Sequence, residues 1–189
     1  MIMHHDDYKK VRTYNDPGHA HELTFSCFHR LRLFAKDRSR LWFVSAMELA
    51  RQRYDFAVWA YAIMPEHIHI IVCPRQDKYE IRQVRSALKI PVQRKALSYL
   101  REQAPEFLDR LCDRQPNGEI HYRFWQRGGG YDRNVTNTET LLKMVDYIHE
   151  NPIRRGLVER ATDWIWSSAR FYEGYSDVPI AMDSLPVLD

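Results

Sequence analysis

Two histidines, His67 and His69, flank a single isoleucine inside an apolar stretch that is typical of a β-strand. Side chains alternate along a strand, so both imidazoles are predicted on one face and Ile68 on the other. Two neighbouring imidazoles suit a divalent cation, and a pair of solvent-facing histidines is the alternative interpretation. The His-X-His spacing alone does not distinguish between these two interpretations, because His19 and His21 have the same spacing next to a polar leader.

A tyrosine and an asparagine lie four residues apart on the clearest predicted helix, which runs from Thr138 to Asn151. Its buried face is predicted from an apolar repeat, Leu141, Val145 and Ile148. Tyr147 falls off the centre of this stripe, and the spacing stacks its hydroxyl and the Asn151 amide on one flank. A phenol beside a divalent cation can attack a phosphodiester, whereas a tyrosine at the edge of the core is the alternative. For the neighbouring His149 a buried structural role is predicted.

Positive charge is concentrated in one segment although the net charge is only +3. The predicted helix from Ile81 to Leu100, extended by one residue, carries six basic residues and no acid: Arg82, Arg85, Lys89, Arg94, Lys95 and Arg101. A second basic segment is rich in aromatic residues and includes Trp125, Arg127 and Tyr131. Cations neutralise phosphates and aromatic rings stack on unpaired bases, so both segments suit single-stranded or hairpin nucleic acid. An ordinary solvated helix face is the alternative.

The remaining composition limits the class of protein. The longest apolar run, Phe56 to Met64, has nine residues, about half of what a membrane-spanning helix needs. The N-terminus lacks the apolar segment of a signal peptide, so a cytoplasmic location is expected. Three widely spaced cysteines without a CxxC pair are expected to be reduced.

The predicted order of elements is β, α, β, β, α, β, α, which indicates an α+β protein with helices covering one face of a mainly antiparallel sheet. The first strand, His21 to Phe28, is expected to bury Leu23, Phe25 and Cys27, and Pro91 predicts a break or kink in the basic helix. Three regions are expected: a flexible leader at 1–20, a single domain at 21–174 and an acidic tail at 175–189, for which folding back over the basic helix is an open option.

Three strings, in this order, resemble a known family: AYAIMPEHIHIIVCP, FWQRGGGYDRNVTNTETLLKMVDYIHENPIRRGLV and WIWSSARFY. They are similar to the REP-associated tyrosine transposases, IS200-like members of the HUH single-strand endonuclease superfamily. The likeness spans roughly residues 21–174. Three features depart from the family pattern: the glycine run at 128–130, the long segment at 99–119 and Pro91.

The resemblance implies a ferredoxin-like antiparallel sheet with helices packed on it, one of which carries the catalytic tyrosine. It implies that His67, His69 and Asn151 bind Mg²⁺ or Mn²⁺ and that Tyr147 is the nucleophile. A weaker expectation is that Glu66 does not bind the metal itself but contacts a ligating histidine and orients it.

The implied function is that of a metal-dependent endonuclease and strand transferase for single-stranded DNA, acting on hairpins of repeated extragenic palindromes through a 5′-phosphotyrosine intermediate. Backbone contacts are expected from the basic helix, and stacking from the aromatic segment: Arg82, Arg85, Lys89, Arg94, Lys95, Arg127, Trp125 and Tyr131. A monomer associated with the nucleoid is expected, with a dimer as the other option. The alternative function is that of a domesticated hairpin-binding protein that no longer cleaves DNA.

Overall fold

The computed structural model describes residues 14–185. The strands are β1 (Ala20–Ser26), β2 (Phe56–Ile63), β3 (His67–Pro74), β4 (Cys112–Arg114), β5 (Ile120–Tyr122) and β6 (Tyr131–Val135). The α-helices are α1 (Asp37–Tyr54), α2 (Ile81–Gln103), α3 (Thr138–Arg154) and α4 (Ala169–Tyr172). Short 3₁₀ helices cover Phe28–Arg30, Pro105–Leu111 and Ala161–Asp163. The predicted order of elements is confirmed, with the small hairpin β4–β5 added between α2 and β6.

The main sheet has four strands in the order β2-β3-β1-β6, and every neighbouring pair is antiparallel. Helix α1 connects β1 to β2, and α2 lies in the connection from β3 to β6. Two interleaved strand–helix–strand units of this kind make the ferredoxin-like fold. The predicted fold class is therefore confirmed.

Helices cover both faces of this sheet, so the prediction of a single covered face is wrong. One core joins α1 and α2 to the sheet face that presents Leu23, Phe25 and Cys27, all fully buried as predicted. The second core joins α3 to the opposite face, which presents Trp59 and Ile71. The reason lies in β2, whose eight residues are all buried: a strand that is apolar on both faces needs cover on both faces.

Two further details concern helices α3 and α2. Helix α3 begins at Thr138 as predicted, and the Asn137 side chain caps it by accepting a 2.8 Å hydrogen bond from the backbone N–H of Thr140. Helix α2 continues through Pro91 without a break. Leu88 and Val92 are buried on either side of the proline, and this packing offsets the lost backbone hydrogen bond.

The polar leader is attached to the domain over the part that the structure describes. Tyr14 and Asn134 exchange two hydrogen bonds, and the Asn15 side chain accepts one from the backbone of Ile81. His21 lies in β1, as the predicted first strand required, and is fully buried and hydrogen-bonded to Asp132, so the second pair of histidines does not lie wholly in the leader. Residues 1–13 lie outside the described part of the chain.

The acidic tail packs along β2 and α1 rather than over the basic helix. The Asp183 backbone and carboxylate bond to the two backbone groups of Val58, and the carboxylate also pairs with Arg51 and Arg75. Ile180 is buried in the core. The tail thus protects an edge of the sheet. Residues 186–189 lie outside the described range. Within residues 14–185 no helix is both long and apolar enough to cross a bilayer.

Candidate functional site

The paired imidazoles of His67 and His69 lie on the α3 side of β3. Ile68 points into the opposite core, as the alternation of the strand predicted. The two rings are almost perpendicular, with centroids 4.7 Å apart, and their Nε2 atoms are separated by 3.0 Å. Both side chains are buried. Each residue therefore presents its Nε2 to the same point in space.

The other ring nitrogen of each histidine has its own partner. His67 Nδ1 lies 3.1 Å from Glu66 Oε1, and His69 Nδ1 lies 2.9 Å from the hydroxyl of Thr24 on β1. A carboxylate only accepts, so His67 Nδ1 carries a proton and its Nε2 has a free lone pair. With that lone pair on His67, the 3.0 Å contact between the Nε2 atoms is a hydrogen bond when His69 Nε2 donates, and the Thr24 hydroxyl then donates to His69 Nδ1. Partners of this kind fix the orientation of imidazoles that bind metals.

Burial keeps both imidazoles neutral. It lowers the pKa of His69 to about 3, and the neighbouring His67, Arg155 and Arg30 act in the same direction. Burial also lowers the pKa of His67, and Glu66 partly opposes this effect. Neutral imidazole is the form that binds a metal ion.

The two Nε2 atoms of His67 and His69 suit a divalent cation, but such a cation would need further ligands from other residues, the substrate or water. Among the described residues, no group of three His, Cys, Asp or Glu side chains is placed to hold a metal ion. The buried Asn151 donates its amide nitrogen to the Tyr147 carbonyl at 2.9 Å, which leaves the amide oxygen as its possible metal ligand. The resemblance assigns this oxygen to the same cation as the two imidazoles, and such a set would leave positions for substrate oxygens; this assignment stays a prediction.

Tyr147 lies beside the imidazole pair. Its ring centroid is 5.6 Å from that of His69, and the two rings are nearly perpendicular. The side chain is 42% exposed, so its hydroxyl remains accessible to a ligand from solvent. The Arg154 guanidinium lies 5.2 Å from the tyrosine ring centroid. Helix α3 positions Tyr147 by burying its neighbour Ile148, which fixes the rotation of the helix against the sheet.

His149 turns away from this site. Its Nε2 lies 2.8 Å from the hydroxyl of Ser168, and its ring contacts Tyr172. Burial lowers the pKa of His149 to about 4. The predicted structural role agrees with this position.

A groove that the sequence did not predict opens next to Tyr147, between α3 and the strands β1 and β6. It is lined by Glu22, Thr24, Tyr131, Arg133, Lys143 and Tyr147, with His69 at one end. We call it the α3 groove. The alternation in β1 could have indicated it, because burying Leu23 and Phe25 on one face sends Glu22 and Thr24 to the other.

A basic cleft lies on the opposite side of the sheet, between α2 and the loop at 123–129. It is lined in part by Arg82, Arg85 and Lys89. Lys89 donates a 2.9 Å hydrogen bond to the Gly128 carbonyl, and burial, with a smaller effect of Arg85, lowers its pKa to about 8. Arg85 pairs with the buried Asp132 at 3.2 Å. These contacts hold two of the predicted DNA-binding cations partly inside the fold.

The glycine run next to this cleft has a steric cause. A Cβ on Gly130 would lie 2.4 Å from the backbone oxygen of Thr24, and its φ of +85° also favours glycine. A Cβ on Gly129 would lie 3.1 Å from the Arg85 guanidinium. The run therefore allows the loop to approach β1 and α2 closely.

Trp125 offers little ring surface for the predicted stacking role. This side chain is only 4% exposed, packs against Phe34 and Phe124, and donates a hydrogen bond to the Lys89 carbonyl. Its edge lines the basic cleft, and its role as a stacking platform stays a prediction. By contrast, Tyr131 is 44% exposed and lies in the α3 groove.

The other predicted DNA contacts are dispersed. Arg82, Arg94 and Lys95 are exposed on α2, whereas Arg127 is half exposed and binds the buried carboxylate of Asp113. The two hydrogen-bonded arginines, Arg127 and Arg123, hold the pKa of Asp113 below its usual range. The predicted contacts thus lie on both sides of the sheet, and their role in DNA binding stays a prediction.

No family model matches the chain. The sequence is 29% identical over 131 residues to a Haemophilus influenzae protein named as a REP-associated tyrosine transposase, covering 67% of this chain and 66% of the relative. The chain therefore spans just under two thirds of that relative's length. The fold matches a solved REP-associated tyrosine transposase bound to a REP hairpin, at 19% identity and a TM-score of 0.60, covering 95% of this chain and 96% of that one.

A solved Deinococcus radiodurans protein described as a transposase is 17% identical and covers 75% of this chain and 96% of its own. Its TM-score of 0.45 is too low to establish a shared fold. The resemblance to the REP-associated tyrosine transposases that the motifs indicated is therefore confirmed, in sequence by the curated relative and in fold by the hairpin-bound structure.

Proposed function

We propose that this protein is a metal-dependent endonuclease and strand transferase that acts on DNA hairpins with single-stranded flanks. One observation carries the proposal: the accessible Tyr147 ring lies 5.6 Å from the ring of His69, in a pair of buried, neutral imidazoles. A nucleophile and a metal site in contact are what tyrosine-mediated phosphoryl transfer requires.

In the proposed reaction the Tyr147 oxygen attacks a backbone phosphorus. A bond from phosphorus to the tyrosine oxygen forms, and the bond from phosphorus to the 3′ oxygen breaks. The phenol proton passes to solvent, and the departing 3′ oxygen takes up a proton to give a free hydroxyl. The product is a 5′-phosphotyrosine, which conserves the phosphodiester energy, and attack by another 3′-hydroxyl rejoins DNA.

The residues that would hold the cation are His67, His69 and Asn151, and Mg²⁺ or Mn²⁺ is the proposed ion. When bound, it would screen the negative charge that develops on the nonbridging phosphate oxygens. The protein supplies the rest of the arrangement. Glu66 and Thr24 hold the imidazole rings in position, and Ile148 anchors the helix that carries Tyr147.

Hairpin DNA is the proposed partner. The relative of the same fold was solved with a REP hairpin bound, and the basic cleft beside α2 offers Arg82 and Lys89 to a phosphate backbone. One chain supplies both the imidazole pair and the tyrosine, which supports catalysis by a monomer. A protein with this substrate would work at the nucleoid, in the cytoplasm.

The decisive experiment is detection of a tyrosine-linked oligonucleotide by mass spectrometry. The chain is incubated with Mn²⁺ and a labelled hairpin that has single-stranded flanks. The wild-type chain is expected to form the adduct at Tyr147, and Tyr147→Phe is expected to form none while still binding the hairpin. Tyr131→Phe is the matched control, since it removes a hydroxyl from the same groove and should keep the adduct.

Two results would contradict the proposal. An adduct that persists in Tyr147→Phe would place the nucleophile elsewhere. Tight hairpin binding by the wild-type chain without an adduct or cleavage, in Mg²⁺ and in Mn²⁺, would support the non-cleaving hairpin-binding protein instead.

A further inference from the structure

We propose that the α3 groove binds an unpaired nucleobase of the DNA strand and that Glu22 selects bases that carry an exocyclic amino group. The inference rests on the proposed function, since it concerns the same DNA strand. It adds a specificity-determining residue on β1, a strand to which the sequence motifs assigned no function.

Glu22 is a buried acid in an unusual setting. Its side chain is only 7% exposed and lines the α3 groove beneath α3. Among residues 14–185, no hydrogen bond or ion pair to its carboxylate is formed. Arg133 lies directly opposite on β6 but makes no ion pair with it. Burial raises the pKa of Glu22, and the positive charge of Arg133 partly opposes this effect. Among the described residues the Glu22 oxygens are not counted with the fully buried, unpartnered side-chain atoms, so they face the open groove and can accept a hydrogen bond from a ligand there.

The rest of the groove suits a nucleotide. Tyr131 and Tyr147 are 44% and 42% exposed and offer ring surface on which an unpaired base can stack. Arg133 and Lys143 lie on the same groove and can neutralise phosphates. The exposed ion pair between Lys143 and Glu139 is of the weak surface kind and does not prevent this.

The position of the groove identifies which nucleotide it would hold. His69 and Tyr147 line its end, so the bound base belongs to a nucleotide that adjoins the phosphate attacked by Tyr147. The groove is shaped by elements on the α3 side of the sheet and is therefore separate from the basic cleft beside α2.

The chemistry of a carboxylate determines the preference. It only accepts hydrogen bonds, and cytosine, adenine and guanine each present an amino group on the Watson–Crick edge. Thymine and uracil present an N–H between two carbonyl oxygens. The negative carboxylate is repelled by these two oxygens, which weakens any hydrogen bond to the N–H between them. Discrimination of about tenfold is expected from one such contact.

The test compares two hairpins that differ only in their single-stranded tails, oligo-dC in one and oligo-dU in the other. Binding is measured by fluorescence anisotropy in chelator, so that no cleavage intervenes. The wild-type chain should bind the dC tail about tenfold more tightly. Glu22→Gln keeps the shape but adds an amide donor that can pair with uracil, and its preference should fall to within about twofold. Glu102→Gln, an exposed residue at the end of α2, is the matched control and should keep the wild-type ratio.

Equal affinity of the wild-type chain for the two tails would overturn the inference, as would an unchanged ratio in Glu22→Gln. In either case hairpin binding itself would stand, so the proposed function survives. Failure of both hairpins to bind would overturn the proposed function and the inference together. A dC preference in this binding test, combined with no cleavage of either hairpin in a separate assay with Mn²⁺, would support the base site and count against the endonuclease.

The melting temperature provides a second readout, because it distinguishes a role of Glu22 in ligand binding from a role in stabilising the fold. Because the carboxylate lines the groove and forms no hydrogen bond or ion pair with residues 14–185, Glu22→Gln should melt at the same temperature as the wild-type chain or higher. A clearly lower melting temperature would mean that Glu22 stabilises the fold and would contradict its assignment to a ligand.

Discussion

The Nε2 atoms of His67 and His69 lie 3.0 Å apart, within hydrogen-bond distance of each other. Two imidazole nitrogens this close together could bind one cation as neighbouring ligands. The Nδ1 atoms of the two rings are held by Glu66 and Thr24, so the pair needs little movement to accept a metal ion. This relationship gives the first two predictions.

Removal of the imidazole pair is expected to abolish the response to metal. In the wild-type chain, chelator should stop hairpin cleavage and Mn²⁺ should restore it, whereas the double variant His67→Ala, His69→Ala should stay inactive at any Mn²⁺ concentration. Mn²⁺ binding measured by electron paramagnetic resonance provides a readout without turnover and should be lost in the same variant. Metal-dependent cleavage by the double variant would place the metal site elsewhere.

Glu66 is expected to act on the metal through His67. Loss of its 3.1 Å contact in Glu66→Ala should reduce Mn²⁺ affinity by about 10- to 100-fold, the usual effect of removing such a partner. Glu66→Gln retains a side-chain acceptor and should lose less. Titration of Mn²⁺ against both variants checks the order, and an unchanged affinity in Glu66→Ala would count against this role.

Trp125 and Tyr131 are expected to respond in opposite ways to substitution by alanine. Trp125→Ala should lower the free energy of unfolding by about 3–5 kcal/mol, because it leaves a cavity in the core beside Phe34. Tyr131→Ala, on the exposed rim of the α3 groove, should change stability little and weaken binding of single-stranded DNA by about 1–3 kcal/mol.

Urea unfolding and a binding titration, made on both variants, check this contrast. A stable Trp125→Ala variant with weakened DNA binding would support the stacking role of Trp125 and contradict its assignment to the core. Undiminished DNA binding by Tyr131→Ala would remove Tyr131 from the proposed interface.

Lys89 is expected to make hairpin affinity depend on pH. Burial lowers its pKa to about 8, so it loses its positive charge as the pH rises from 7 to 9, and affinity for DNA should fall over that range. Lys89→Arg stays charged and should show a flatter profile, whereas Lys95→Arg, exposed on the same helix, should behave like the wild-type chain.

Stability should move in the opposite direction. An unfolded lysine keeps its proton up to a pKa of about 10.4, so between about pH 8 and 10 the unfolded chain binds more protons at Lys89 than the folded one. The contribution of Lys89 therefore makes the folded state more stable as pH rises. Anisotropy titrations and thermal melts at pH 7, 8 and 9 separate the two effects, and a wild-type affinity that is constant over this range would exclude Lys89 from the interface.

Local periodicity was sufficient to predict how the main site residues are arranged within their own elements. The two-residue period of a strand placed His67 and His69 on one face, and the four-residue spacing on a helix placed Tyr147 and Asn151 on one flank. Both relations depend only on backbone geometry over a few residues, which is why they could be read from the sequence. The ferredoxin-like fold was implied by the family resemblance, and the structure shows its strand order to be β2-β3-β1-β6.

Contacts between distant segments decided what the sequence could not. Trp125 was expected at the surface but packs between Phe34 and Phe124. Glu22 lines a groove that forms only because α3 packs against its face of the sheet. Residue type and spacing fix which side of an element a group lies on. The exposure of that side, and the group facing it, depend on which other element packs there, and that is a property of the whole chain.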